Sequence, residues 1–401
     1  MNICQFHRRS RRTLWRVLTV GVALLIAYGS LFPFHFMADV DVAQARRALW
    51  EHAGDLWTNF PDVMGNVLLF LPCGLLIAFM AGRPATRLAQ FFAWLMFALL
   101  VQIAQFWVPE RSASLADVLW NGVGCGIGVV AGLAYRRLDM ARDRQEIPFE
   151  PLSMIVALCW LGAELAPFVP SLDVGQVRSA LRPLRDPFNI DFVHAGVVAV
   201  QFLVAAFALR SGVGRYKPVL VVSAMAAIFL GTKLFIVGHA LNPGTLLGLC
   251  AGWLAFVTWR KRETPWGVLL GVLLLSYLLD SLKPFHFPGW QSDLHWLPFF
   301  ARLEGSMMAN LVSLLRISFI SLAVIWLIHG MQGRVVAACV IIAICFSGVE
   351  YLQTWVAGRT GDMTEPFLLL LFAWVLRKPP AHFGAADVKR QGVPASPLTS
   401  R

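Results

Sequence analysis

Apolar runs near 14–32, 64–82, 88–108, 115–135, 151–168 and 192–210 punctuate this chain, and six more follow near 218–238, 244–259, 265–282, 307–329, 334–356 and 361–376. A helix rises about 1.5 Å per residue, so about 20 apolar residues cross a ~30 Å hydrocarbon core. In lipid, backbone polar groups must be satisfied inside the segment, and for runs of this length that means helices. The spacing predicts an all-α polytopic membrane protein with about twelve transmembrane helices. The last run is the weakest, since only Pro366–Leu376 is continuously apolar. Only 14% of the 401 residues are charged, against roughly 25% in a soluble domain.

Arginine and lysine decide the orientation. One set of connections carries Arg83 and Arg87, then Arg136, Arg137, Arg142 and Arg144, then Arg210, Arg215 and Lys217, then Arg260, Lys261 and Arg262, then Arg334. The tails add Arg8 to Arg16 and Arg377 with Lys378, while the turn 239–243 has no basic residue. The positive-inside rule places both termini in the cytoplasm of a plasma (bacterial inner) membrane. The net charge of +11 is thus a topology signal, and nucleic acid is not an expected partner. Phe32-Pro-Phe-His35 follows the first run where a cleavage site would need small residues. That run reads as an uncleaved helix rather than a signal peptide.

Internal repeats come next. Tyr28-Gly-Ser-Leu-Phe-Pro-Phe-His-Phe36 matches Leu279-Asp-Ser-Leu-Lys-Pro-Phe-His-Phe287, with Ala163-Glu-Leu-Ala-Pro-Phe168 between them. Asp39-Val-Asp-Val-Ala-Gln-Ala-Arg-Arg-Ala-Leu49 has a cousin in Asp173-Val-Gly-Gln-Val-Arg-Ser-Ala-Leu181. Gln102-Ile-Ala-Gln-Phe-Trp-Val108, with Arg111 and Asp117, matches Glu350-Tyr-Leu-Gln-Thr-Trp-Val356, with Arg359 and Glu365, at identical spacing. The middle copy offers Lys233 where Gln102 or Glu350 stands. An even number of helices per copy gives three parallel four-helix repeats, related by an axis along the membrane normal. The expected parts are a basic cytoplasmic N-terminus (1–13), a first unit (14–137), a basic cytoplasmic linker (138–150), a diverged second unit (151–262), a third unit (263–378) and a disordered cytoplasmic tail (379–401).

With this topology, scattered polar groups share one depth near the outer surface. Asn66 enters the membrane there, Gln102 and Gln105 leave it on one helix face, and Arg111 lies in the short loop. Asp117 and Asn121 begin the next helix on a single face. The last copy repeats the pattern with Asn310, Glu350, Gln353, Arg359, Asp362 and Glu365, and adds Arg316. Arg316 sits roughly 9 Å deeper than Asn310, where an arginine needs a partner. Glu350 is the expected one, because the first copy has the uncharged Pro72 and Gln102 at those two places.

A plainer account stands beside this one. Ser114-x-x-Asp117 and Asp362-x-x-Glu365 resemble capping boxes, and Arg111 and Arg359 would then be interfacial anchors. Lys233 and Glu164 also interrupt apolar runs, with Glu164 near enough to the edge to snorkel. His35 and His286 lack matched ligand spacing, so no metal or other cofactor is expected. The seven cysteines imply no disulfide framework. Nucleotide-binding loops, zincin motifs and nucleophile elbows are all missing from the sequence.

These residues resemble the VanZ-like family of small membrane proteins, whose namesake is associated with teicoplanin resistance. The family pattern runs Asn-x-x-Leu-Phe-x-Pro-x-Gly, then Glu-x-x-Gln, then Gly-Arg-x-x-Asp-x-x-Asp-x-x-x-Asn-x-x-Gly. The first copy carries Asn66, Leu69, Phe70, Pro72, Gly74, Gln105, Arg111, Asp117, Asn121 and Gly124, and departs at Gln102, Glu110 and Ser114. The last keeps Glu350, Gln353, Gly358, Arg359 and Asp362, with Glu365 for the second aspartate and Leu369 for the asparagine. The resemblance implies a cell-envelope role linked to glycopeptide resistance, without a settled chemistry.

The expected function is binding or handling of an outer-leaflet lipid-linked or glycan component, with membrane lipids as surroundings. Asn66, Asn121, Gln105 and Gln353 would supply neutral hydrogen bonds, and Arg111 and Arg359 would hold an anion. The alternatives are a proton-coupled secondary transporter using Glu350, a membrane-embedded acid–base enzyme using Asp117, Asp362, Glu350 or Glu365, and a structural scaffold. Without a nucleophile or metal motif, the enzyme is the less favoured of these.

Overall fold

The computed structural model describes residues 19–37, 41, 43, 47, 60–80, 82–109, 111–143, 151–166, 169–213, 217–289, 291–300 and 307–377. The basic N-terminus and the tail expected to be disordered lie outside them. Helices carry the described chain: α1 (Thr19–Leu31), then α2 (Phe60–Met80), α3 (Pro84–Ala104), α4 (Leu115–Asp143), α5 (Pro151–Leu165) and the short α6 (Val174–Leu181). They continue as α7 (Phe192–Val213), α8 (Pro218–Phe235), α9 (Pro243–Trp259), α10 (Trp266–Ser281), α11 (Met307–Gly330), α12 (Val335–Gln353) and α13 (Thr364–Val375). Among the described residues, seven of these (α2, α3, α4, α7, α8, α11 and α12) are long and apolar enough to cross a membrane by length and composition. Five shorter apolar helices, α1, α5, α9, α10 and α13, occupy the remaining apolar runs. Starts are marked by proline in the first turn, as at Pro84, Pro218 and Pro243, where its missing N–H costs nothing.

The exposed face of α3 explains the solvent. Leu88, Phe92, Met96 and Leu100 recur every fourth residue, each more than half exposed. Such a stripe is solvated by acyl chains and would drive aggregation in water. The protein is all-α and membrane-embedded. Its only described strands, β1 (Leu294–His295) and β2 (Gly361–Asp362), form a short parallel pair with Leu294 opposite Gly361.

The chain divides into two compact units, Met1–Glu146 with Leu303–Leu311, and Ile147–Arg302 with Val312–Arg401. In the first, Ile26, Phe70, Cys73, Ile77, Trp94, Ala98, Val118 and Cys125 form the core. Here α2 and α4 touch backbone to backbone. A Cβ added at Gly124 would stand 2.0 Å from the Val67 carbonyl oxygen, and one at Gly74 1.9 Å from that of Cys125. Only glycine permits this approach, which gives the two motif glycines a packing reason. In the second unit, Trp160, Phe202, Phe207, Phe229, Phe256, Leu273 and Trp326 lie in one continuous core. There Gly248 brings α9 against α7, since its Cβ would lie 2.4 Å from the Ala195 carbonyl oxygen.

Candidate functional site

In the first unit Asp117, in the opening turn of α4, joins three helices. Its carboxylate accepts from Asn66 Nδ2 of α2 at 2.8 Å and from Gln102 Nε2 of α3 at 3.2 Å. The other end of the Gln102 amide accepts the Ser114 N–H at 2.9 Å, and Ser114 Oγ accepts the Ala116 N–H at 3.1 Å. The cap that the sequence suggests therefore forms on one side only. Ser114 caps α4, but Gln102 takes the N–H that Asp117 would accept in a reciprocal capping box. That exchange leaves the Asp117 carboxylate to bind across helices. Asn66, Gln102, Gln105 and Asn121 are all buried. Asn121 Oδ1 and Gln105 Oε1 are buried without a hydrogen-bond partner among the described residues.

The corresponding residues near the other end of the chain repeat this arrangement with a stronger acceptor. Glu350, 1% exposed, accepts the Asp362 N–H at 2.8 Å on one oxygen, as Gln102 accepts that of Ser114. Its other oxygen accepts from Gln353 Nε2 at 3.2 Å and Tyr277 Oη at 3.4 Å. Asp362 Oδ1 accepts the Thr364 N–H at 2.9 Å, capping α13, and Thr364 Oγ1 accepts the Phe299 N–H at 2.6 Å. Glu365 also reaches the Tyr277 hydroxyl. Glu350, Gln353, Asp362 and Glu365 are thus gathered about Tyr277, a residue the sequence reading did not single out because it lies inside an apolar run.

The two loop arginines act as latches. Arg111 donates from Nε to the Phe32 carbonyl at 2.9 Å and from Nη2 to that of Gly29 at 3.2 Å, at the end of α1. Arg359 donates to the carbonyls of Lys283 and Asp280, both at 2.9 Å, at the end of α10. The last carbonyls of a helix lack intrahelical partners, and a cation there also complements the helix dipole. Gln105 adds a bond from Nε2 to the Ser30 carbonyl at 2.9 Å. The neighbouring backbone bond runs in opposite senses in the two places. Met37 N–H donates to the Trp107 carbonyl, whereas Ala357 N–H donates to that of His286. Proline removes the missing donor each time, as Pro288 stands at the position of Met37 and Pro109 at that of Ala357.

The middle stretch makes both backbone bonds, Ser171 N–H to the Phe235 carbonyl and Val237 N–H to that of Val169. This register sets Lys233 beside Gln105 and Gln353, three positions on from the placement read off the sequence. It also sets Glu164 beside Ser30. Lys233 Nζ binds Glu164 at 2.7 Å, an ion pair where the first copy joins Gln105 to a backbone carbonyl. His239 then falls in line with Arg111 and Arg359, and its Nε2 contacts the Ala166 carbonyl at the end of α5.

That substitution makes one latch titratable. The groups facing His239 are Lys233, whose Nζ is 3.4 Å from Nδ1, Glu164 and Arg316, and burial ahead of every other cause holds its pKa below the ordinary 6.5. The folded state therefore favours neutral imidazole, with Nε2–H donating and Nδ1 accepting. Below pH 6.5 the unfolded chain takes up a proton that the folded one resists, so stability falls with acidification and is level above that value. Thermal unfolding of the full chain in detergent at about pH 7 and about pH 5 checks this. His239→Gln flattens the difference, and equal slopes in both proteins refute it.

The sequence-predicted pair of Arg316 and Glu350 does not form. Glu350 is buried, with its oxygens on Asp362, Gln353 and Tyr277, whereas Arg316 is exposed on α11 and no ion pair joins the two. Asn310 is half-buried near the start of the same helix, in the first compact unit. Glu164 and Lys233, which the sequence shows as separate interruptions of apolar runs, form an ion pair.

Among curated proteins and among solved structures, nothing matches this chain. The family model described as VanZ/LLP1 matches residues 5–136, the stretch that holds Asn66, Gln102, Arg111, Asp117 and Asn121. Over that stretch the chain is similar to the VanZ/LLP1 family, and its long apolar helices are those of a membrane protein.

Proposed function

We propose that this protein binds an outer-leaflet lipid-linked or glycan component of the bacterial envelope, in a role connected with glycopeptide resistance. The supporting observation is the pair of buried amide oxygens, Gln105 Oε1 and Asn121 Oδ1, without partners among the described residues. A buried acceptor left unsatisfied costs about 1–3 kcal/mol. Sugar and glycerol hydroxyls are the donors such oxygens take. Asp117, Asn66 and Gln102 hold the surrounding helix ends in place, and Arg111 and Arg359 keep α1 and α10 latched rather than supplying the anion contact. The basic connections support an outer-facing site with both termini cytoplasmic.

The test is equilibrium binding of a polyprenyl-diphosphate-linked sugar to the full chain in nanodiscs. Replacing Gln105 and Asn121 together with leucine weakens binding about tenfold or more, each hydrogen bond being worth about 1 kcal/mol. An unchanged dissociation constant at unchanged thermal stability sinks the reading.

The full burial of Glu350 within reach of Tyr277 and Glu365 favours a second reading, proton-coupled transport. A Glu350→Gln variant that still drives pH-dependent uptake in vesicles as well as the parent removes it.

A further inference from the structure

Between α5 and α7 lies a segment that the helix-end cluster does not use. An open cleft of about 510 Å³ is lined there by Ser179, Arg182, Arg185, Asp186 and Asn189, with Asn242 from the start of α9. Arg182 and Arg185 are both exposed, and no ion pair or side-chain hydrogen bond engages either among the described residues. The nearby carboxylates are committed elsewhere. Asp173 caps α6 by accepting the Gly175 N–H. Asp191 accepts the His194 N–H and binds Lys283, and these two hold its carboxyl below the ordinary range. Asp186 is the one carboxylate lining the cleft with the two arginines, so positive charge is in excess.

The rim is apolar. Phe188 is 92% exposed, Leu172 85% and Val174 79%. A short helix with arginines beside bare large apolar side chains has the chemistry of a segment lying in the headgroup plane. Its location agrees, at the end of the helices that holds Asn242 and His239 and lacks the basic connections. The positive-inside rule depletes arginine on that face, and this loop carries three, Arg178, Arg182 and Arg185. A water occupies about 30 Å³, so the cleft has room for a phosphate ester with its polar substituent.

We infer that this cleft is a binding site for the headgroup of an anionic phospholipid of the outer leaflet. Arg182 and Arg185 hold the phosphate, and Ser179, Asn189 and Asn242 offer hydrogen bonds to its substituent. Phe188, Leu172 and Val174 lie among the acyl chains. The site shares no residue with the Gln105–Asn121 pair and does not rest on the function proposed for that pair.

The full chain in uncharged detergent is titrated with short-chain phosphatidylglycerol, short-chain phosphatidylcholine and glycerol 1-phosphate. Phosphatidylglycerol binds, and phosphatidylcholine binds at least tenfold more weakly. Arg182→Gln with Arg185→Gln weakens phosphatidylglycerol binding by roughly tenfold or more, since both charge-assisted contacts to the phosphate are lost. Arg182→Lys with Arg185→Lys retains most of it. Phe188→Ser weakens the lipid and leaves glycerol 1-phosphate unchanged. The inference is overturned if the glutamine variant binds like the parent, or if the two lipids bind equally. Glycerol 1-phosphate binding as tightly as phosphatidylglycerol overturns the lipid assignment in favour of a soluble phosphate ester. Should the glutamine variant fail to fold, the lysine variant and the comparison of lipids on the parent protein decide.

Discussion

Replacing Glu350 with alanine is expected to lower the stability of the protein by on the order of 2–6 kcal/mol, since two buried donors lose their acceptor at about 1–3 kcal/mol each. The loss has a definite composition. The Asp362 N–H, the Gln353 amide and the Tyr277 hydroxyl all donate to this one carboxylate, and of the three Tyr277 keeps a second acceptor, Glu365. Each buried donor left without an acceptor costs about 1–3 kcal/mol, and water does not readily reach a site that is 1% exposed. Glu350→Gln should be much milder. Glutamine stands at the corresponding position of the first copy, where Gln102 accepts the Ser114 N–H with its amide oxygen. Thermal unfolding in detergent ranks the three proteins. An alanine variant that melts with the parent contradicts the network.

Gly124→Val should be as severe, for a different reason. The added Cβ would stand 2.0 Å from the Val67 carbonyl oxygen, and a backbone atom cannot swing aside as a side chain does. Overpacking ordinarily costs about 1–3 kcal/mol, and more when the obstacle is main chain. Here α2 and α4 must part, which draws Asn66, the neighbour of Val67, away from Asp117. Size-exclusion chromatography of the detergent-extracted variant should show loss of the monodisperse species. Gly126→Ala is the control. Nothing lies within 4 Å of its added Cβ, so it gains helix propensity of up to about 1 kcal/mol and stays folded. Equal behaviour of the two variants removes the close-packing argument.

The helices were legible because each apolar run is its own signal. About 20 residues without charge admit one structure in lipid, and each run read from the sequence overlaps one of the apolar helices described, with α6 alone outside them among the described helices. The gathering of Asn66, Gln102 and Asp117 was legible as well, since their distances from the ends of their helices set a common depth. Depth along a helix is arithmetic on residue number.

Rotation about the helix axis is not, and the sequence reading missed wherever rotation or register mattered. Arg316 and Glu350 were matched by depth, but packing turns Glu350 inward to Tyr277 and leaves Arg316 exposed. Lys233 was misplaced by three positions because the middle copy shortens between its landmarks, and only the backbone bonds at Phe235 and Val237 restore the count. Arg111 and Arg359 were read as anion ligands, and both donate to carbonyls at the ends of α1 and α10, contacts that residue order does not reveal. The sequence by itself determined that this is a bundle of apolar helices with polar groups at shared depths, VanZ-like over its N-terminal stretch, because hydrophobicity and spacing are properties of the chain taken in order. Only the tertiary structure decided which polar group meets which, because azimuth and helix separation follow from how side chains and glycines pack between helices distant in sequence.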